Sequence, residues 1–499
     1  MRRTTGWVWL AAAVTLAVTL GGCASVAVPE VNTQRTEGDV RLPAVFGPNM
    51  VLQRNKPITV WGWAEPGQQV QVWLADRHGQ ATADDNGRWQ LSLKPLPAGG
   101  PHRMIVAGQK VYAIENVMIG EVWLCSGQSN MQWTVRQSAD ADREIAAANY
   151  PDIRLFQVPR KPASQPVEDV DAAWVTCSPQ TVANFSAVAY YFGRELHKEL
   201  NVPIGLIDSS WGGTIVEAWT PRDAFLRDQT ALRYVGGAVP ESVPFQGHPN
   251  FVTVLYNGMI APLAPFGIRG AIWYQGEANI PRAYQYEKLL STLIEGWRRV
   301  WFDRAGDDSR AARRQRDFSF YLVQIAPFNY NHPPEWLAEL REAQLRVMQN
   351  VANTGMAVIT DIGNLSDIHP TNKQEVGRRL ALWALAKDYG RNIVYSGPIY
   401  REMKVEGDKI RIYFDHVDGG LVCKGDKLTW WQIAPEDGEF VEAQAVIEGD
   451  TVVVSSPEVK RPAAVRFGWH HSAEPNLFNK AGLPASPFRT DSRPRLTEK

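Results

Sequence analysis

Four short segments of the chain carry the residue types of acyl-transfer chemistry. The first, Ser126-Gly127-Gln128-Ser129-Asn130-Met131, is a tight glycine turn that presents a serine hydroxyl. It is not the nucleophile elbow G-x-S-x-G, because Met131 stands where the second glycine belongs. The second, Trp211-Gly212-Gly213-Thr214, offers bare backbone N–H groups that can approach a ligand closely. The third, Gln275-Gly276-Glu277-Ala278-Asn279, holds two side-chain amides able to donate to a developing oxyanion, worth about 3–4 kcal/mol per donor at a dry site. The fourth, Asp367-Ile368-His369-Pro370, sets an imidazole beside an acid, as a base that takes a proton from serine requires. Each segment also has a plainer reading when taken alone. Ser-Gly and Gly-Gly turns and loop-closing amides are common structural devices, and a lone histidine is more often structural than catalytic.

These segments need a scaffold that gathers them. Buried-type runs VMIGEVWLCSG, PIGLIDSS, RGAIWYQG, FSFYLVQIAPF and GMAVITDIG alternate with helical periodicity at Tyr286 to Trp301, Glu335 to Gln349 and Lys373 to Lys387. Alternating strand and helix predicts a parallel α/β sheet. In such sheets ligands collect at the carboxyl ends of the strands, which here carry Ser126 to Asn130, Ser209 to Thr214, Gln275 to Asn279 and Asp361 to His369. Before this region, from Arg41 to about Val117, short alternating runs ITVWGW, VQVWLA and RWQLSL are separated by turn clusters, the pattern of a β-sandwich module. After Gly390, strand pairs such as KVEGDKIRIYF and AQAVIEGDTVVVS predict a second β-rich module. The expected organisation is a signal peptide over 1–22, a tether over 23–40, a β-sandwich over 41–117, a catalytic α/β domain over 118–392 and a C-terminal β-rich module over 393–499.

The start of the chain reads as an export signal. Arg2 and Arg3 precede an apolar stretch from Gly6 to Leu20, then Leu20-Gly21-Gly22-Cys23 follows. The apolar run is short for a membrane span. LGGC looks like a bacterial lipobox, which makes Cys23 the expected lipidation site and the bacterial periplasm or cell surface the expected location, with the membrane met through the lipid. Cys125, Cys177 and Cys423 then remain, enough for at most one disulfide, whose pair the sequence does not choose. No Cys/His spacing suggests a structural metal.

Composition narrows the partners. Among the 499 residues, 52 Lys and Arg stand against 53 Asp and Glu, so no single-sign field is available for nucleic acid. Tryptophan is over-used: 19 residues, against 17 Phe and 15 Tyr. Flat indole faces suit sugar rings, although core packing is the commoner use of such side chains.

The segments GEVWLCSGQSNMQW, SSWGGTIVEAW, LYNGMIAPL, WYQGEAN, DIGNLSDIHPTNKQEVGRRLAL and NLFNKAGLPASPFRTD together resemble the sialate O-acetylesterases and related carbohydrate esterases of the SGNH-hydrolase superfamily. The resemblance covers residues 40 to 490. It implies a flavodoxin-like parallel sheet sandwiched by helices, an acetylated carbohydrate substrate, and no cofactor. It also implies Ser129 as nucleophile and His369 as base. Ser129 and Gly213 (or Gly212) would supply oxyanion amides, with Gln275 or Asn279 completing the hole. Gln128, Asn130, Trp211 and Glu277 would contact substrate. The usual D-x-x-H pattern is D-x-H here, with Ser366 at the position of the acid. Asp367, a substituting Asp361, or a backbone carbonyl therefore all stand as orienting groups. The rival reading is a surface carbohydrate-binding lipoprotein whose catalytic domain is silent.

Overall fold

The computed structural model describes residues 39–305 and 318–498. The expected signal peptide, tether and lipidated Cys23, and most of the charged stretch 304–316, lie outside the described residues.

The N-terminal part is built from β1 (Val51–Gln53), β2 (Ile58–Trp63), β3 (Gln69–Leu74), β4 (Arg77–Thr82), β5 (Arg88–Leu93), β6 (Gly99–Ala107) and β7 (Val111–Gly127). Alternation drives it: β5 reads RWQLSL, and Trp89, Leu91 and Leu93 are buried while the residues between them are exposed. β2 pairs with β5, and β3 pairs with β4 and β6. The 17-residue β7 then leaves this module without a break. Its first half pairs antiparallel with β6 and its second half pairs in parallel with two strands of the central sheet. The boundary expected between 117 and 118 therefore falls inside a strand. One hydrophobic cluster, from Val40 to Ile399, runs through both parts.

The central region is α/β. Its remaining strands are β8 (Tyr150–Gln157), β9 (Trp174–Cys177), β10 (Ile204–Ser210), β11 (Gly270–Tyr274), β12 (Ser319–Gln324) and β13 (Thr354–Val358). They lie in the order β13-β12-β11-β7-β10-β8-β9, all parallel except β9. From Val117 to Gly127 every residue of β7 is buried, as is all of β10 and β11, so these strands are covered on both faces and read as unbroken apolar runs. Helix α1 (Ser129–Gln132) follows β7 directly. Helices α2 (Ala187–Leu200) and α5 (Lys373–Lys387) pack as one pair against the sheet, and α3 (Ala283–Ala305) and α4 (Glu335–Asn350) as another. Among the described residues, no helix is long and apolar enough to cross a membrane.

Beyond residue 398 the chain forms antiparallel sheets. One is built from Ile399–Glu406, Lys409–Asp415, Thr451–Ser455 and Gln444–Glu448, another around Trp431–Ala434 and Ala464–Phe467. They enclose a core of their own with Ile410, Ile412, Trp431, Phe467 and Phe488. The last residues leave that core and return to α4: Arg489 and Arg495 bond Glu342, and Thr497 bonds Glu339. Cys125, Cys177 and Cys423 are all free thiols.

Candidate active site

Ser129 is aimed by the end of β7. Gly127 adopts φ +141°, and a Cβ there would fall 2.1 Å from the Tyr274 carbonyl oxygen, so only glycine lets β7 turn this close to β11. The chain then enters α1, with the Gln128 N–H bonded to the Tyr274 carbonyl at 3.0 Å and Ser129 as the first helical residue. The N–H groups of a first helical turn have no intrahelical acceptor, and Ser129 stands in that turn.

His369 reaches this serine from the loop between β13 and α5. Pro370 follows it, and Asn372 caps α5 by accepting the Glu375 N–H at 3.1 Å, so the loop ends abruptly. Nε2 of His369 lies 2.9 Å from Ser129 Oγ, and Nδ1 lies 3.3 Å from Asp367 Oδ1. The same Asp367 oxygen accepts the His369 backbone N–H at 2.9 Å, closing a small ring that fixes the loop. The ring of His369 stacks on Trp133 at 4.7 Å and 13°. Burial holds the imidazole below its ordinary pKa; Asp367 opposes this and Lys373 adds to it. A neutral imidazole between a hydroxyl and a carboxylate is the arrangement a general base requires.

The alternative acid is engaged elsewhere. Asp361 forms a two-pronged pair with Arg379, at 2.6 and 2.8 Å, and Ser366 is an exposed loop residue whose N–H bonds Asn364. Asp367 is the carboxylate that faces the imidazole.

The second segment sits against the first. Gly212 packs on Ser129, where a Cβ would come within 3.1 Å of the serine Cβ. Its N–H donates to Gln132 Oε1 at 2.7 Å, so Gly212 is not free to serve an oxyanion. Gly213 adopts φ +73° with open space beside it, and its carbonyl is held by Asn250 Nδ2 at 2.9 Å.

The expected side-chain donor of the oxyanion hole needs correcting. Gln275 is fully buried, and its amide donates to Thr214 O at 3.0 Å and Asn279 Oδ1 at 2.7 Å, so both N–H groups are engaged. Asn279, also fully buried, donates to Glu217 at 2.9 Å and accepts the Val216 N–H at 3.1 Å. These two amides clamp the backbone of the 214–217 loop instead of pointing into the site.

Three of the expected substrate contacts are likewise engaged within the protein. Gln128 is buried and accepts the Ala278 N–H at 3.3 Å. Asn130 is wholly buried beneath the serine: its amide donates to Glu277 Oε1 at 2.7 Å and to the Ile368 carbonyl at 3.1 Å, the residue before His369. Glu277, partly buried, thus serves Asn130, and burial raises its pKa. Trp211 keeps exposed surface beside the turn, with its backbone N–H bonded to the Gly127 carbonyl at 3.0 Å. Of the other tryptophans beside these segments, Trp123, Trp219 and Trp273 are core and Trp133 carries the histidine.

Lys373 was not singled out by its spacing, yet it is central. It is wholly buried, with Nζ 2.5 Å from Asn130 Oδ1 and 5.2 Å from the Tyr274 ring centre. Burial pushes its pKa down to about 7, against the pull of Glu277 and Asp367. A lysine four residues after a candidate base and ahead of a helix is the only sequence signal it leaves.

Residues 119–386 match the family described as carbohydrate esterase, sialic acid-specific acetylesterase. The sialate O-acetylesterases of Pongo abelii and Homo sapiens are each 34% identical over 502 residues, covering 90% of this chain and 92% of theirs. The crystal structure of a carbohydrate acetylesterase from Xanthomonas citri superposes with a TM-score of 0.82 at 36% identity, covering 91% of this chain and all of that one.

Proposed function

The chain belongs to the sialic acid-specific acetylesterase family of carbohydrate esterases and is a carboxylic ester hydrolase, and from that premise we propose that it releases acetate from O-acetylated sugars by serine acyl transfer. The observation that carries the mechanism is the chain of contacts Ser129 Oγ, His369 Nε2, His369 Nδ1, Asp367 Oδ1. His369 takes the Ser129 proton as the oxygen attacks the acetyl carbonyl. The oxyanion is received by the backbone N–H groups of Ser129 and Gly213. His369 then gives its proton to the departing sugar hydroxyl, leaving acetyl on Ser129. Water attacks that ester with His369 again as base, and acetate leaves. Asp367 holds the imidazole with Nε2 toward the serine and faces the positive charge that forms on it.

The fold reading is that of the SGNH hydrolases. Taken without β8, the parallel strands β7, β10, β11, β12 and β13 stand in the order 2-1-3-4-5, the flavodoxin-like arrangement, and Ser129 lies at the carboxyl end of its first strand. The substrates in this reading are O-acetyl sialic acid or acetylated hemicellulose such as xylan or xyloglucan. The test is acetate release from a panel of these, with Ser129→Ala as control. A positioned base contributes about 10²–10⁴ in rate, so Ser129→Ala and His369→Ala must each lose turnover while remaining folded. Wild-type acetate release by Ser129→Ala overturns the assignment.

Export and lipidation at Cys23 form a separate part of the proposal, supported by LGGC after an apolar stretch. Palmitate labelling that persists in Cys23→Ala contradicts it.

A further inference from the structure

Trp430 combines two properties that packing alone does not explain. Its indole is 40% exposed, and its backbone sits at φ +64°, a conformation that bulky residues rarely adopt. Backbone strain of this kind persists where the surroundings impose it and clusters at ligand sites. The indole is stacked on His470 at 5.6 Å and 27°, and His470 abuts His471 at 4.6 Å. Both Trp430 and His470 line a cleft of about 890 Å³ in the C-terminal module. Trp469 and Trp431 line the same cleft, and the buried indole N–H of Trp431 has no partner.

Hydrogen bonds connect this module to the loop of the proposed esterase site. The Phe328 N–H donates to the His471 carbonyl at 3.2 Å, and Ser472 Oγ donates to Asn329 at 2.5 Å. The following residues form a second stack: Tyr330 on His332 at 6.4 Å, and His332 on Trp336 at 5.3 Å. The Asn329 N–H in turn donates to the Leu365 carbonyl at 3.3 Å, on the loop that carries Asp367 and His369. Burial raises the Tyr330 pKa, and the nearby Glu277 carboxylate adds to it.

We infer that the Trp430–His470 stack and its cleft form a binding platform for the uncharged backbone of the acetylated oligosaccharide, adjoining the esterase site of the proposed function, on which this inference rests. Indole and imidazole faces offer flat apolar surface bordered by N–H donors, the combination that matches the C–H face and hydroxyl rim of a neutral pyranose. Burial lowers the pKa of His470, and the charged residues along the cleft, Lys427, Glu442 and Glu458, leave it with a negative excess that disfavours an anionic sugar.

Trp430→Asn removes the indole with a residue that tolerates positive φ, so its fold is retained. In the Ser129→Ala background, isothermal titration with xylohexaose, a deacetylated xyloglucan oligosaccharide and, as the anionic control, sialyllactose is expected to show binding to at least one of the two neutral oligosaccharides, weakened about tenfold or more by Trp430→Asn. In active enzyme, Trp430→Asn should lower kcat/KM on the acetylated form of that oligosaccharide, through KM, and leave 4-nitrophenyl acetate hydrolysis unchanged. Its melting temperature should equal or exceed that of wild type. Absent binding, binding insensitive to Trp430→Asn, preference for sialyllactose, equal loss on both esters, or a lowered melting temperature each overturns the platform. If titration succeeds while wild type releases no acetate from any glycan, the esterase reading fails and the platform stands.

Discussion

The ammonium of Lys373 lies 2.5 Å from the side-chain oxygen of Asn130, the residue that follows Ser129, the proposed nucleophile, while the Asn130 amide reaches the carbonyl before His369. One buried asparagine therefore ties the serine turn to the histidine loop, and one buried lysine holds the asparagine in register. A misplacement of about 1 Å between reacting groups costs on the order of a hundredfold in rate. Lys373→Met and Asn130→Ala are accordingly expected to lower kcat by about ten- to a hundredfold with KM nearly unchanged. Steady-state kinetics on an acetylated sugar checks this, and a rise in KM with kcat intact counts against a positioning role.

The two charged neighbours of His369 act on it with opposite sign, so they predict opposite shifts in the acid limb of kcat/KM. Burial and Lys373 lower the imidazole pKa, and Asp367 raises it. A base works only when unprotonated, so the wild-type limb lies below the ordinary histidine value of about 6.5. Lys373→Met should move the limb to higher pH and Asp367→Asn to lower pH. Coincident limbs in all three proteins contradict the assignment of His369 as base.

Asp367→Asn and Asp361→Asn separate the two candidate acids. The first should reduce kcat about tenfold or more through loss of imidazole orientation. The second breaks the pair with Arg379 and should lower the melting temperature while leaving kcat within about twofold. The reverse pattern would make Asp361 the orienting acid.

Gly127→Ala tests the serine turn. Its Cβ meets the Tyr274 carbonyl in a backbone conformation that alanine resists, so a destabilisation of about 3 kcal/mol or more is expected together with loss of activity. Urea unfolding measures it, and a stable, active variant would show that the turn relaxes.

Asp208, wholly buried on β10 beside Ser210, has its pKa pushed up to about 7 by burial. In the unfolded chain it ionises near 3.8, so between about pH 4 and 7 the unfolded state loses this proton first and stability falls as pH rises. Asp208→Asn removes that contribution. Its melting temperature should exceed the wild-type value at pH 8 by about 2 °C or more, with the gain vanishing near pH 4. A constant difference across this range contradicts the ionisation argument.

Much of the scaffold was legible. Helices expected at Tyr286 to Trp301, Glu335 to Gln349 and Lys373 to Lys387 occur at Ala283–Ala305, Glu335–Asn350 and Lys373–Lys387. Long periodic segments declare themselves through burial of one face. Ser129, which follows the central β7 directly, meets Asp367 and His369 on the long loop after the edge strand β13, so the sheet order alone does not bring them together and the loop must cross back over the strand ends. What the sequence hid was direction. Gln275, Asn279, Gln128 and Asn130 have side chains able to bind a substrate or brace a loop with equal chemistry, and only the packed structure shows that they brace. Lys373 was hidden for another reason: a lysine at a helix start ordinarily reads as solvated, and its burial depends on Glu277 and Tyr274 from distant segments.

The uninterrupted β7 has a consequence for how this protein can be divided. Because one strand is hydrogen-bonded at its start into the N-terminal sheet and at its end into the strands flanking Ser129, pulling or melting the first sheet loads the nucleophile turn directly. The N-terminal module is thus a splint for the Ser129 turn and not a detachable appendage. Trimming it away would cut the beam that the turn is mounted on, so neither half has a natural seam at which to unfold, or to have been exchanged, without the other.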